Sequence, residues 1–233
     1  MSVFTDGELP QGAEKVERVE NMFDRIAPSY DRVNRVMTFG LDQRWRKRTL
    51  REIRLTAGDL FLDLACGTGD FSRLATDIGA VAVGIDRSAG MIAHARTTAC
   101  LVRGDILRLP VPTGSIDSIA CGFALRNVID VAGLFLECGR VLRPGGRLGL
   151  LEVAEPESKK LAAIHHFYFH RVVPKIGGWI SGQRDAYEYL PKSVAYLPEP
   201  RALLADVREA GFHTVRRTLL GGGGAQLITA VRA

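Results

Sequence analysis

Apolar positions recur along this chain with two different periods. Val16, Val19, Met22, Phe23 and Ile26 follow one another at helical spacing, which predicts an amphipathic helix from Ala13 that stops before Pro28. A second helix is predicted over about 42–53. From Leu60 onward the period shortens, and apolar runs at 60–65, 80–85, 100–103, 116–123 and 147–153 read as strands. Helical segments at about 70–77, 88–98 and 130–141 separate them. Strands alternating with helices predict a parallel sheet covered on both faces. Residues 156–200 break the rhythm. They are rich in aromatic and apolar side chains, punctuated by prolines at 156, 174, 191, 198 and 200, and too long and apolar for a connecting loop. They read as a helical lid. A helix at 200–210, stopped by Gly211, leads to strands at about 212–220 and 226–232, joined as a hairpin across the glycines at 221–224.

The expected architecture is therefore α/β, with a mostly parallel seven-stranded sheet and helices on both faces. One domain is expected, in four stretches: an N-terminal helical cap at 1–54, a sheet core at 55–155, the lid insertion at 156–200, and a terminal helix and strand pair at 201–233.

Composition narrows the class. A chain of 233 residues with 46% hydrophobic residues has a sizeable core and is not disordered. The net charge of +5 is mild. Cysteines at 66, 100, 121 and 138 form no C-x-x-C pair, so reduced thiols are expected in place of a disulfide framework or zinc site. Residues 1–12 read as loose, and residues 1–8 lack the apolar core of a signal peptide. No apolar run approaches the roughly 18–20 residues that span a bilayer. A cytoplasmic protein is expected, with any membrane contact peripheral, on the inner face. Arg44, Arg46, Lys47, Arg48 and Arg51 surround Trp45 on the second helix. They suit either snorkelling into phospholipid headgroups or an ordinary basic outer face.

The candidate chemistry starts where the first strand enters a glycine turn, Phe61-Leu62-Asp63-Leu64-Ala65-Cys66-Gly67-Thr68-Gly69, before the helix opening at Asp70. Such a turn builds a ligand crevice at the carboxyl edge of an open sheet. A dinucleotide fingerprint G-x-G-x-x-G would place glycine at 72, where this chain has Ser72. The second strand ends at Asp86, a carboxylate able to hold both ribose hydroxyls of an adenosine, and the third leads to Asp105, able to accept from an adenine amino group.

This series resembles the class I S-adenosylmethionine-dependent methyltransferases over roughly residues 55–153. The resemblance implies a Rossmann-like fold and S-adenosyl-L-methionine as cofactor. It implies that Asp63, Ala65, Gly67, Thr68 and Gly69 line the methionine moiety, and that Asp86 holds the ribose. Asp105 and Ile106 would frame the adenine, with Met91 on its other side, and Gly122 would contribute backbone. The stretches Met22-Phe23-Asp24-Arg25-Ile26-Ala27 with Tyr30-Asp31 and Asn34, and Gly122-Phe123-Ala124-Leu125-Arg126-Asn127-Val128, resemble the ubiquinone/menaquinone C-methyltransferase family. So do Tyr168-Phe169, Pro174, Gly177, Tyr187, Tyr189-Leu190 and Ser193. That family methylates a ring carbon of a prenylated quinol, and demethylmenaquinol is the expected acceptor.

A hydroquinol carbon becomes nucleophilic as its hydroxyl loses a proton, so a cation beside that oxygen in a dry pocket favours reaction. Arg126 is assigned this role, directly or through a water, and the matching arginine of the family is tied to a catalytic water. Asn127 would fix the acceptor oxygen and Tyr30 would close over the sulfonium methyl. Arg126→Ala is expected to lose turnover with cofactor affinity nearly intact. No metal is expected: His166 and His170 have ligand spacing but no third partner, and lid packing accounts for them. A general-base role for His165 or His166 stays open.

The family often carries serine at position 122 and alanine's place at 124 is taken by glycine, and it has a histidine after its terminal glycines where this chain has residues 221–224. Another small aromatic or polyketide acceptor, a non-catalytic cofactor binder and a nicotinamide-dependent reductase are the alternatives. Partners are a lipid-soluble quinol and, peripherally, a membrane. No nucleic acid is expected, and a homodimer is left open.

Overall fold

Strand β1 (Leu60–Leu64) is buried at every position after the first, as a strand covered on both faces must be. In the computed structural model, which describes residues 10–233, it lies at the centre of one seven-stranded sheet. Around it are β2 (Val81–Asp86), β3 (Cys100–Arg103), β4 (Ile116–Gly122), β5 (Leu142–Val153), β6 (Phe212–Leu220) and β7 (Ala225–Arg232), in the order β3-β2-β1-β4-β5-β7-β6. β7 runs antiparallel to β5 and β6, and the other neighbouring pairs are parallel. The order reverses between β1 and β4, and a crevice opens beyond the carboxyl ends of strands at such a switch point.

Three apolar clusters hold the fold. One packs Leu134, Phe135 and Cys138 of α6 (Val131–Val141) and Leu203 and Val207 of α10 (Pro200–Glu209) on one sheet face. The opposite face packs on Leu50 and Ile53, at the end of α3 (Leu41–Glu52), and on Phe71 and Leu74 of α4 (Asp70–Ile78). The third lies off the sheet: Val19, Met22 and Ile26 of α1 (Gly12–Ile26) and Val33 of α2 (Tyr30–Met37) meet Ala186, Tyr187 and Tyr189 of α9 (Arg184–Ser193). The N-terminal cap and the lid therefore close on each other above the crevice.

The lid is helical, as expected, and consists of α7 (Lys159–Phe167), a π-helical turn at Tyr168–Val172, α8 (Val173–Ser181) and α9. The π turn precedes Pro174, which has no N–H to return to the preceding turn. Gly177 of α8 sits against the Tyr187 ring so closely that a Cβ there would fall 2.3 Å from the ring. Gly177→Ala is expected to push α8 off α9 and cost about 1–3 kcal/mol, read as a lowered Tm with earlier proteolysis of the lid.

Several expectations need correction. The helix expected at 88–98 is the short α5 (Ala89–Ala93). Ser88 caps its start through the Met91 N–H, and past His94 the chain turns away so that the Arg96 N–H reaches the Thr68 carbonyl at 3.1 Å. α2 was not anticipated. The strand expected at 147–153 begins earlier, at Leu142, with an irregularity between the pairs Ile116–Leu142 and Ser118–Arg147. The looseness and the missing signal sequence read from the first residues concern mainly 1–9, which lie outside the described residues.

Candidate active site

Two cavities occupy the space between the sheet edge, the cap and the lid. The smaller, about 830 Å³, lies over the carboxyl ends of β1, β2 and β4, and Ala65, Gly67, Asp86, Met91, Asp105, Ile106 and Gly122 are in its wall. The larger, about 1240 Å³ and open to solvent, runs beneath the lid and is mostly apolar, with Arg46, Arg126, Tyr187 and Tyr189 among its polar and aromatic wall residues. Phe23, Tyr30, Phe123 and Asn127 belong to both walls. The two cavities meet there.

The smaller cavity suits an adenosine-bearing cofactor. Asp86 accepts the Gly67 N–H and the Ser88 N–H, each at 2.8 Å and each on a different oxygen, so both oxygens keep a lone pair for ribose hydroxyls. Burial raises its pKa, and three backbone N–H bonds oppose that rise. Gly67 has a φ of +56°, so any side chain here would strain the backbone of the turn. Asp105 lies at the rim, accepting the Leu107 N–H and pairing with Arg87 at 3.2 Å.

Asp63, Thr68 and Gly69, expected at the methionine moiety, are not in that wall, and each has a contact within the protein. Asp63 is buried behind the turn, where one oxygen accepts both the Ser72 N–H (2.8 Å) and the Ser72 hydroxyl (2.7 Å). The serine that breaks the dinucleotide fingerprint thus ties the helix start to β1. The Thr68 hydroxyl donates to Asp31 of the cap at 2.5 Å, and the space where a Gly69 Cβ would sit is taken by Thr97. Burial lifts the Asp63 carboxyl to about 7, against the Ser72 hydrogen bonds and the Arg46 charge. Because that folded value exceeds the unfolded one, its contribution to stability is complete below about pH 4 and is lost as pH rises toward 7. Asp63→Asn is expected to flatten the fall of Tm over that window, removing at most about 4 kcal/mol of pH dependence. Melts at a series of pH values test it, and an unchanged slope contradicts it.

The cap is latched over the crevice by polar contacts. Asp24 accepts from the Ser88 hydroxyl (2.5 Å) and the Gly90 N–H (2.8 Å), and Glu20 pairs with Arg103 at 2.7 Å. Lys15, buried, donates to the Arg126 carbonyl at 3.0 Å and lies over the Tyr196 ring; burial lowers its pKa to about 8.

Arg126 is 5% exposed and its guanidinium pairs with Glu152, itself buried at the end of β5. The cation expected here is therefore half of a neutral pair, in the wall of the larger cavity. Glu152 was not anticipated; its signal was a single carboxylate closing the apolar run 148–153. Asn127 accepts the Tyr189 hydroxyl at 3.2 Å. Tyr30 packs edge-on to Phe23 and stays a neutral phenol, its pKa raised by burial more than Arg46, Asn34 and Arg126 draw it down.

The basic helix also needs correction. Arg46 is on the inner face of α3 with Asp42, Thr49 and Leu50, whereas Arg48 and Arg51 are on its outer side. Gly122, where serine was weighed, has a packing cause: a Cβ would lie 2.8 Å from the Phe71 ring. Gly221, in the terminal glycine run, is pressed against Trp45 in the same way. His165 reaches the larger cavity, while His166 stacks on His170 at 4.1 Å. Among the described residues no group of three His, Cys, Asp or Glu side chains is placed to hold a metal.

The model of the ubiE/COQ5 methyltransferase family matches residues 11–232. The chain belongs to that family. It is 40% identical over 231 residues to the demethylmenaquinone methyltransferase of Roseiflexus sp. (strain RS-1), covering 96% of this chain and 97% of that one. It is also 40% identical to the ubiquinone/menaquinone biosynthesis C-methyltransferase UbiE of Geobacter sulfurreducens, over 85% of this chain and 82% of that one. A SAM dependent methyltransferase from Aquifex aeolicus shares the fold with a TM-score of 0.61 at 14% identity, covering 92% of this chain and 98% of that one. The family match makes this chain a methyltransferase, and the Rossmann-like reading of its sheet stands.

Proposed function

We propose that this methyltransferase acts on a ring carbon of a prenylated quinol, with demethylmenaquinol as the acceptor. The observation that carries the proposal is the junction of two unlike cavities at Phe23, Tyr30, Phe123 and Asn127. One is lined by carboxylates and a glycine turn, and the other is large, apolar and walled by aromatic rings. S-adenosyl-L-methionine is the cofactor, and its sulfonium supplies an electrophilic methyl group. Ala65, Gly67, Asp86, Met91, Asp105, Ile106 and Gly122 would hold it.

The residues of the chain do the rest by position. Tyr30 and Phe23 close the junction from the cap side and exclude water, in a site where each electrostatic contact gains strength. Asn127 has its carbonyl engaged by Tyr189, which leaves its amide N–H groups for the acceptor oxygen. Arg126, held in place by Glu152 and by Lys15 on its carbonyl, directs its remaining N–H groups toward charge that develops on that oxygen. The tail of the acceptor would run along Met37, Phe39, Tyr168 and Leu190.

A membrane-facing mouth follows from the same reading. No helix among the described residues is long and apolar enough to cross a membrane. α7 buries no residue, and its Leu161, Ile164 and Phe167 stand exposed, as does Phe39 at 79%. Lys159 and Lys160 begin that helix. Apolar side chains with lysines beside them suit the inner membrane surface, where the chain would take up its acceptor from the cytoplasmic side.

Transfer of label from methyl-labelled S-adenosylmethionine to reduced demethylmenaquinone is the expected result. Tight cofactor binding with no label entering a reduced prenylated quinone, while a tailless phenol is methylated, overturns the acceptor assignment.

A further inference from the structure

We propose that Arg46 is the counter-cation for an oxyanion on the acceptor, in the wall of the larger cavity; this rests on reading that cavity as the acceptor site. Arg46 is 6% exposed, and its guanidinium carbon lies 5.3 Å from the centre of the Phe71 ring and 5.2 Å from that of Phe123. Its Nε and Nη1 atoms are buried with no hydrogen-bond partner among the described residues. Buried N–H groups of a cation are expensive to leave unmade, and Arg46 is a wall residue of the larger cavity, so a small shift of its side chain on ligand entry would give them an acceptor.

The charge of Arg46 is also poorly matched. Its ion-pair partner is Asp70, at 3.8 Å from Nε, beyond hydrogen-bonding distance. Asp70 already pairs with Arg35 and Arg73, each at 3.2 Å, and accepts the Gln43 amide at 2.8 Å. One carboxylate thus faces three guanidinium groups. Arg126, another wall residue of the same cavity, is neutralised by Glu152. The uncompensated positive charge of the cavity is therefore at Arg46, where it also draws the Tyr30 hydroxyl and the Asp63 carboxyl downward against the opposing effect of burial.

The ligand chemistry this calls for is a planar oxygen anion. Two such anions would be present in the working site, the ionised ring oxygen of the acceptor and the carboxylate of the cofactor. Arg46 is in the wall of the larger cavity and not of the smaller one, which favours the ring oxygen. A guanidinium there holds the quinol as its anion and so raises the nucleophilic fraction of the ring before methyl transfer.

The test uses 4-nitro-1-naphthol, whose ionisation is visible by absorbance, bound to protein saturated with S-adenosylhomocysteine. The bound naphthol is expected to ionise at least about one pH unit lower in the parent protein than in Arg46→Met, as for an acid beside a single opposite charge. Arg46→Gln, which keeps polar side-chain bulk without the charge, should match Arg46→Met and serves if the latter does not fold. Equal ionisation in parent and folded variant overturns the inference and leaves the acceptor cavity standing. Loss of S-adenosylhomocysteine affinity with unchanged naphthol ionisation overturns it too, by assigning Arg46 to the cofactor carboxylate. Failure of the naphthol to bind the parent takes down the acceptor-cavity reading, and this inference with it.

Discussion

Arg126→Ala is expected to lower kcat by a factor of about 10²–10³, the usual effect of losing one preorganised donor at a developing oxyanion. The same substitution strands Glu152, which is 1% exposed and loses its guanidinium partner. An uncompensated buried carboxylate costs about 3–5 kcal/mol, so the variant should also melt at a lower temperature. Stability and turnover are separable here. In the double variant Arg126→Met with Glu152→Gln neither charge of this buried pair remains, and much of the lost stability should return while kcat stays low. Cofactor affinity, read by calorimetry, should remain near the parent value in both variants, because Arg126 is not in the wall of the smaller cavity. A double variant that regains turnover together with stability would remove Arg126 from the chemistry and leave it a structural residue.

Asp86→Ala is expected to weaken S-adenosylmethionine binding by about 10²-fold, the sum of two charge-assisted hydrogen bonds at about 1.5 kcal/mol each. The carboxylate does two things at once. It offers lone pairs to the ribose, and it fixes the glycine turn through the Gly67 N–H and the start of α5 through the Ser88 N–H. Asp86→Asn keeps one oxygen acceptor and should fall between the parent and the alanine variant. A calorimetric titration returning parent-like affinity for Asp86→Ala would place the ribose elsewhere.

Much of the fold was legible because its signals are local. The strands β1 to β4 lie within a residue or so of their apolar runs, and for β1 and β4 the reason is that a strand buried on both faces has few other ways to be written. The errors have specific causes. α2 was missed because its eight residues make about two turns, too short a window for the apolar side of Tyr30, Val33, Val36 and Met37 to establish a helical period. The expected extension of α5 beyond His94 failed because Thr97 and Thr98 have weak helix propensity and the Gly69 turn offers Thr97 a packing site.

The site divides in the same way. Asp63, Gly67 and Asp86 stand at strand ends, and a strand end in an open parallel sheet is a functional address that can be read along one stretch of chain. That was enough to find the turn, but not to tell which of its side chains face the ligand. Asp63 faces inward to Ser72 because its place in β1, between β2 and β4, points it under the turn.

What the sequence determined by itself is the α/β alternation, the crevice at the end of β1 and the kind of cofactor that suits it, because these depend on residues a few positions apart. Only the tertiary structure decided which cations reach the acceptor. Arg46 is one basic residue among five on α3, and it is the inner one because Leu50 and Ile53 dock that face on the sheet. Arg126 is held by Glu152, 26 residues on, and by Lys15, 111 residues before it. Contacts over such separations arise when cap, sheet and lid pack together, and no spacing within any one segment encodes them.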